Sequence, residues 1–199
     1  MDSISILTLQ NIKGIGSTTI DRISSLTDAS TPLNPKELLS TIEKVRAIYG
    51  RISIPTISDV ENAWLKAGEI LDISQENGIH LLSRDNEKYP WLLKLIPDSP
   101  ALLHVKGNIE ALNKKCIAVI GTRNPNDYGI SSAKKIGFDL TKKGYVIVSG
   151  LAEGIDSAAH RGSLEANGIT VAVLAHGLDS IYPAINKQLA AEILDNNGT

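Results

Sequence analysis

Cysteine is almost absent from the 199 residues: Cys116 is the single one, so the chain cannot form an internal disulfide. A protein without disulfides is typical of a reducing compartment, and we therefore expect it in the cytoplasm. Long apolar runs are missing as well, because no stretch approaches the roughly 18 residues that a membrane-spanning helix requires. The first ten residues carry no basic segment ahead of an apolar one, so we expect neither a secretory signal nor a membrane partner.

An excess of charge of either sign is missing too, since 20 basic against 22 acidic residues leave a formal net charge of −2. No overall basic field draws the chain to nucleic acid, so any DNA binding must come from a local patch. Hydrophobic residues make up 42% and charged residues 21% of the chain, which excludes a disordered or collagen-like class. At this length we expect one medium-sized domain or two small ones.

Helical signals dominate the first part of the chain. Asn34 with Glu37 forms a capping pattern that predicts the start of one helix, and Ser58 with Glu61 predicts the start of another. Residues 9–20 resemble a helix–hairpin–helix motif, in which a glycine turn exposes backbone N–H groups to a DNA phosphate. A purely structural hairpin between two packed helices is the alternative.

A regular alternation of strands and helices follows in the second part of the chain. Apolar runs at residues 116–120, 145–148 and 169–175 predict buried strands, and the segments between them have helical periodicity. Short connections between such elements indicate a parallel sheet with right-handed crossovers. We therefore expect a small all-helical domain over residues 1–77 and an α/β domain over residues 78–199, with helices on both faces of its sheet.

Three glycine-rich loops follow the predicted strands, at residues 121–129, 149–156 and 176–183. The carboxyl ends of parallel strands share one edge of a sheet, and ligands of open α/β sheets bind there. Glycines let the backbone approach a ligand, free N–H groups favour an anion, and Arg123 adds a fork of donors that suits phosphate. These loops therefore predict a phosphate pocket, with simple tight turns as the alternative.

Catalytic and cofactor-binding motifs are missing from these loops. No G-x-G-x-x-G follows the first strand, no Walker motif occurs, and Ser149 is not in a G-x-S-x-G elbow. Asp156 and His160 stand four residues apart, but no third ligand completes a metal site, so we expect Asp156 to cap a helix. His176 is a candidate base, although a lone histidine after a strand is more typical of a polar loop. We expect no catalytic residue, no metal and no cofactor.

Taken in order, the loop motifs closely resemble those of the DprA/Smf family of bacterial DNA-processing proteins. The resemblance rests on Gly121-Thr122-Arg123 with Tyr128-Gly129, on Ser149-Gly150-Leu151-Ala152-Glu153-Gly154-Ile155-Asp156, and on Gly177-Leu178-Asp179 with Tyr182-Pro183 and Asn186. It implies a non-enzymatic protein whose Rossmann-like domain protects incoming single-stranded DNA during natural transformation and helps to load RecA onto it. It also implies a homodimer in the intact family.

The resemblance transfers a DNA-binding pocket to positions of this sequence. The pocket arginine falls on Arg123, and the basic residue after the Tyr-Pro-x-x-Asn motif falls on Lys187. The expected DNA- or phosphate-binding residues are Gly121, Thr122, Arg123, Ser149, Gly150, Gly154, Asn186 and Lys187. We expect N–H groups of residues 121–122 and 149–150 to form a nest for phosphate. Tyr128 and Tyr182 are candidates for stacking on a base, or else they edge the core.

Three features depart from the family pattern. Glu153 stands where a basic residue is frequent, and His176 stands where a small residue is usual. The family continues beyond the position of Thr199 with further strands, a basic segment and often a winged-helix domain. We therefore expect a C-terminally truncated member whose parallel sheet has an exposed edge, unless another segment covers that edge.

Three alternatives to a single-stranded DNA-binding recombination mediator stay open. Related Rossmann-like folds include nucleotide phosphoribohydrolases, although their P-G-G-x-G-T-x-x-E loop does not occur here. The same pocket would also suit a module that binds a small phosphorylated nucleotide. An inactive, truncated relative is the third alternative.

Overall fold

The computed structural model describes residues 1–27 and 32–199, which divide into two compact units, Met1–His104 and Val105–Thr199. Residues 78–104, which we expected in the α/β domain, lie within the first of these units. The difference arises because the strand that follows the helices packs on them, and Leu102 belongs to their core. No helix in the described ranges is both long and apolar enough to cross a bilayer.

The first unit is built mainly from the helices α1 (Ser3–Gln10), α2 (Ser17–Ser24), α3 (Pro35–Tyr49), α4 (Ile57–Glu76) and α5 (Trp91–Lys94). Two strands, β1 (Ile79–Ser83) and β2 (Leu102–Lys106), form a small sheet. Helices α1 and α4 pack against each other and against β1. Their apolar faces meet in a core whose fully buried members include Leu9, Ile23, Leu38, Ile42, Val45 and Val60.

Side-chain caps fix the starts of the two long helices. The Asn34 side chain caps α3, and the Glu37 carboxylate accepts the Asn34 N–H, which confirms the first capping pattern. The second expected cap is wrong, because α4 is capped by Thr56 with Asp59 and Ser58 lies inside its first turn. The Asp59 carboxylate reaches the Thr56 N–H as a longer glutamate would, so the helix starts earlier than the sequence pattern predicts.

The second unit contains a parallel sheet of three strands in the order β3 (Cys116–Ala118), β4 (Val146–Ser149) and β5 (Thr170–Ala172). The strands alternate with α6 (Asp127–Lys142), α7 (Ile155–Glu165) and α8 (Lys187–Asp195). Helix α7 packs against both α6 and α8. This arrangement confirms the expected α/β fold with a parallel sheet.

The two faces of this sheet are covered by different kinds of helix. Val146 and Val171 belong to an apolar cluster with the 3₁₀ helix Ile109–Asn113. Because successive side chains of a strand alternate between faces, Ala172 points the other way and clusters with Leu189 of α8. Helices thus lie on both faces of the sheet.

The outer side of β5 carries one more residue in strand register. The Thr199 N–H donates to the Thr170 carbonyl (3.2 Å), and the Thr199 carbonyl accepts the Ala172 N–H (2.7 Å). This pair of hydrogen bonds is the pattern of a parallel bridge opposite Val171. Of the two possibilities for this edge, exposure or coverage by another segment, the structure shows coverage at this position.

Helices α6 and α7 approach each other closely because glycines lie at their contact. A Cβ atom on Gly137 would overlap the carbonyl oxygen of Ala159, and a Cβ atom on Gly162 would overlap that of Lys134. Protein interiors are packed so densely that such an atom forces the neighbouring backbone to move. The contact between the two helices therefore depends on both glycines.

His160 is a fully buried residue of α7 that is bonded to the central strands. Its Nδ1 atom lies 2.7 Å from Thr170 Oγ1, and that hydroxyl donates to the Ile147 carbonyl (2.7 Å). Since the hydroxyl hydrogen is used on the carbonyl, the ring donates through Nδ1–H. Its Nε2 atom has no partner among the described residues. Burial lowers the pKa of His160 to about 4, although the Asp156 carboxylate acts in the opposite direction.

Replacing Gly162 by alanine is expected to destabilise the protein by about 1–3 kcal/mol, because the new methyl group pushes two helix backbones apart. Gly68→Ala in α4 is the matched control, since its Cβ would meet open space and alanine favours the helix by about 0.5–1 kcal/mol. Urea unfolding followed by circular dichroism measures both free energies. Equal effects of the two substitutions would contradict the packing role of Gly162.

Acid is expected to destabilise the protein through His160. Its pKa is 6.5 in the unfolded chain and about 4 in the folded one, so only the unfolded chain binds the proton between these values. The free energy of unfolding therefore falls by up to about 3 kcal/mol as the pH decreases from 6.5 to 4, and this component is constant above pH 7. Urea midpoints of the wild type and of His160→Gln across this pH range measure the effect. The variant should lack this slope, and a slope identical to that of the wild type would contradict the assignment.

Candidate nucleic-acid interface

The loops that follow β3, β4 and β5 meet at the carboxyl edge of the sheet. A cavity of about 140 Å³ lies there, and we refer to it as the edge cavity. All three loops contribute to its lining, which consists of Arg123, Gly150, Ala152, Glu153, Leu174, Ala175, His176, Tyr182 and Pro183. Of the expected site residues, the structure thus brings Arg123, Gly150 and Tyr182 to one cavity.

The loop after β3 offers free donors to a ligand. The start of α7 holds this loop in place, because the Ile155 N–H donates to the Thr122 carbonyl (3.2 Å). Gly154 packs against the same carbonyl and has a φ of 84°. Gly121 likewise packs against the Ile155 side chain. Arg123 is exposed and has no ion-pair partner within the part of the chain that the structure describes. The N–H groups of Thr122 and Arg123 also lack an acceptor among those residues.

The loop after β4 differs from the expected phosphate nest. The Gly150 N–H already donates to Asp156 Oδ2 (3.1 Å), and the buried Ser149 hydroxyl donates to the Val119 carbonyl (2.6 Å). The expectation that Asp156 caps α7 is also wrong, because Gly154 is the N-cap and Asp156 lies in the first turn. Its carboxylate turns back to the loop instead of capping the helix. Neither the Ser149 hydroxyl nor the Gly150 N–H is therefore available to a phosphate.

The Asn186 side chain anchors the same loop through hydrogen bonds. Its side chain is buried, and Nδ2 donates to the Leu151 carbonyl (2.8 Å) and to Ser157 Oγ (2.9 Å). Lys187 follows as the first residue of α8, where it is exposed but does not line the edge cavity. Asn186 therefore positions the loop, while Lys187 follows it with no ion-pair partner among the described residues.

The two tyrosines proposed for stacking are placed differently. Tyr182 is 72% exposed and lines the edge cavity. Tyr128 is 79% exposed in the first turn of α6 and does not line it. Only Tyr182 is thus positioned to stack on a base that enters the cavity.

Two lining residues, Glu153 and His176, are absent from the set of binding residues that the sequence predicts. His176 Nδ1 lies 2.8 Å from the Gly177 carbonyl oxygen, and Nε2 is buried without a partner among the described residues. Glu153 is exposed, and no ion pair joins it to Arg123. His176 directly follows a predicted strand and Glu153 lies in the glycine-rich loop after another, and these loop positions are the signal that could have found them.

The edge cavity thus combines the cation Arg123 with a carboxylate, an imidazole and an aromatic ring. Arg123 and the neighbouring N–H groups suit a phosphate, and Tyr182 suits the face of a base. Within residues 1–27 and 32–199, no three His, Cys, Asp or Glu side chains are arranged to hold a metal ion. The arrangement is able to bind a phosphorylated chain with unstacked bases.

The expected helix–hairpin–helix lies in the first unit. Helices α1 and α2 are joined by a short turn in which Gly14 adopts a φ of 88°, and Gly16 is the N-cap of α2. Lys13 is exposed in this turn. The hairpin is present, and its contact with DNA stays a prediction.

Known protein families and structures share these features. The sequence profile of the family described as DNA recombination-mediator protein A matches residues 80–199. The DNA processing protein DprA of Bacillus subtilis is 40% identical over 134 residues, which cover 67% of this chain and 45% of that protein. Protein Smf of Synechocystis is 34% identical over 198 residues, which cover 94% of this chain and 47% of that protein. The chain therefore spans about half the length of these relatives.

Solved structures agree with this similarity. The X-ray structure of DprA from Streptococcus pneumoniae superposes with a TM-score of 0.75 at 28% identity, over 97% of this chain and 64% of that one. DNA processing protein A from Helicobacter pylori, whose structure concerns its single-stranded DNA binding mode, gives a TM-score of 0.53 at 32% identity, over 60% of this chain and 53% of that one. The fold is thus the Rossmann-like one of these proteins, and the chain belongs to the DNA recombination-mediator protein A family, whose curated members are named DprA or Smf.

Proposed function

We propose that the chain binds single-stranded DNA at the carboxyl edge of its parallel sheet and acts as a recombination mediator. One observation carries the proposal: Arg123 stands exposed at the edge cavity, beside N–H groups that lack an acceptor among the described residues. Arginine and main-chain donors hold phosphates without reading bases. The similar protein from Helicobacter pylori is described as binding single-stranded DNA, which supports the same ligand here.

The residues of the site divide into those that touch the strand and those that shape the site. Arg123 and the Thr122 N–H hold one phosphate, Lys187 holds a neighbouring one, and Tyr182 stacks on a base. The other expected binding residues act indirectly, because their hydrogen bonds or close packing hold the loops in their conformation. They are Gly121, Ser149, Gly150, Gly154 and Asn186. No catalytic step is part of the proposal.

We propose further that the bound strand is passed to RecA in the cytoplasm during natural transformation. The description of the family as recombination mediators supports this role. Retention of purified RecA on the immobilised full chain would support a direct handover. A failure to retain RecA under conditions in which the chain binds DNA would contradict it.

Removing the Arg123 side chain is expected to raise the Kd for labelled oligo-dT about tenfold and to reduce the salt slope by roughly 0.7, because one phosphate contact is lost. Lys187→Ala should change both quantities in the same direction. Fluorescence anisotropy in a series of salt concentrations measures Kd and slope together.

Arg161→Ala is the matched control for this experiment, since Arg161 is exposed on α7 and does not line the edge cavity. It should leave both Kd and slope nearly unchanged. Equal weakening by Arg161→Ala and Arg123→Ala would contradict a local site. Binding of mononucleotides as tight as that of the oligonucleotide would favour a nucleotide-binding module instead.

A further inference from the structure

We infer that Tyr49 is a second stacking platform for single-stranded DNA, in which Arg22 supports the ring and the ring supports an unpaired base. The platform lies on α2 and α3 of the first unit and shares no residue with the edge cavity. Its ligand rests on the proposed function, whereas its position rests on contacts within the first unit alone.

Arg22 covers one face of the Tyr49 ring. The Arg22 Cζ atom lies 4.5 Å from the ring centroid, well within the distance of a cation–π contact. Tyr49 is the last residue of α3 and follows the fully buried Val45 by one helical turn, yet it is 48% exposed. With one face under a guanidinium, this exposed surface belongs to the other face and the edge of the ring. The ring is therefore held in place and open to a planar ligand.

Cations surround the ring, although the whole chain has a small negative net charge. Arg46 precedes Tyr49 by three residues, so the two side chains are neighbours on the surface of α3. Arg51 follows Tyr49 by two residues, and both arginines are exposed. None of the arginines at positions 22, 46 and 51 has an ion-pair partner in the described ranges. A local patch of this kind is what a chain without an overall basic field needs for nucleic acid.

An aromatic ring among arginines suits a single strand better than a duplex. Base pairs in a duplex stack on one another, so their faces are closed, whereas a single strand offers base faces that stack on aromatic rings without regard to sequence. The guanidinium groups of Arg46 and Arg51 then suit the phosphates next to the stacked base. The platform would thus bind the same ligand as the edge cavity, at a separate position.

Photo-crosslinking of the full wild-type chain locates the base directly. The chain is bound to oligo-dT in which iododeoxyuridine replaces thymidine, irradiated and digested for mass spectrometry. We expect a crosslinked peptide that contains Tyr49, because the excited base reacts with an aromatic ring on which it stacks. A crosslink at Tyr182 without one at Tyr49 would overturn the platform and leave the proposed function intact.

Substitutions separate stacking from a purely structural contact between α2 and α3. Tyr49→Leu is expected to raise the Kd for oligo-dT about tenfold in fluorescence anisotropy, because the ring is lost. Tyr49→Phe is the matched variant, since it keeps the ring, and it should bind like the wild type. Arg46→Gln should reduce the salt slope by roughly 0.7, while Arg161→Gln on α7 should leave it unchanged.

Three results would contradict this account in different ways. Equal weakening by Tyr49→Phe and Tyr49→Leu would overturn stacking, because phenylalanine retains the aromatic face. An unchanged Kd for Tyr49→Leu, when Arg123→Ala weakens binding, would overturn the platform alone. Failure of the wild type to bind oligo-dT would overturn the proposed function and, with it, the ligand assigned to Tyr49.

Discussion

The polar groups at the carboxyl edge of the sheet are bonded largely to one another, and this constraint decides which of them remain for a ligand. Asp156 accepts the Gly150 N–H, and Asn186 donates to the Leu151 carbonyl. Buried polar groups must be satisfied, so these bonds keep the loop after β4 in place and remove its donors from use. Arg123, together with the N–H groups of Thr122 and Arg123, is left to bind a ligand at the edge cavity.

Helix α7 connects this edge to the core of the second unit. Its first turn holds the loop after β3, through the Ile155 N–H and the Thr122 carbonyl. Further along, His160 is bonded to Thr170 in β5, and Gly162 allows α6 to approach. A ligand site needs groups held by rigid elements, and here one helix provides that rigidity to two loops. Core packing and ligand geometry are therefore coupled through α7.

The sequence predicts the position of the site better than its hydrogen bonds. Glycine-rich loops after successive buried strands indicate a shared edge, because parallel strands end on the same side, and Arg123 is found there. The bond between Asp156 and Gly150 was not predictable, since it depends on how α7 docks on the loop. The hydrogen bond between His176 Nδ1 and the Gly177 carbonyl was likewise not predictable, because it depends on the conformation of the loop. The inclusion of residues 78–104 in the first unit depends in the same way on a tertiary contact, the packing of a strand on helices.

Titrating single-stranded DNA into the isotope-labelled chain, with the backbone amide signals followed by NMR, tests most directly where the ligand binds. We expect the largest shifts at the N–H groups of Thr122 and Arg123, which lack acceptors among the described residues. The Gly150 amide should stay slow to exchange, because its hydrogen bond to Asp156 is retained. Shifts confined to the first unit, with none in residues 121–123, would contradict a ligand site at the carboxyl edge.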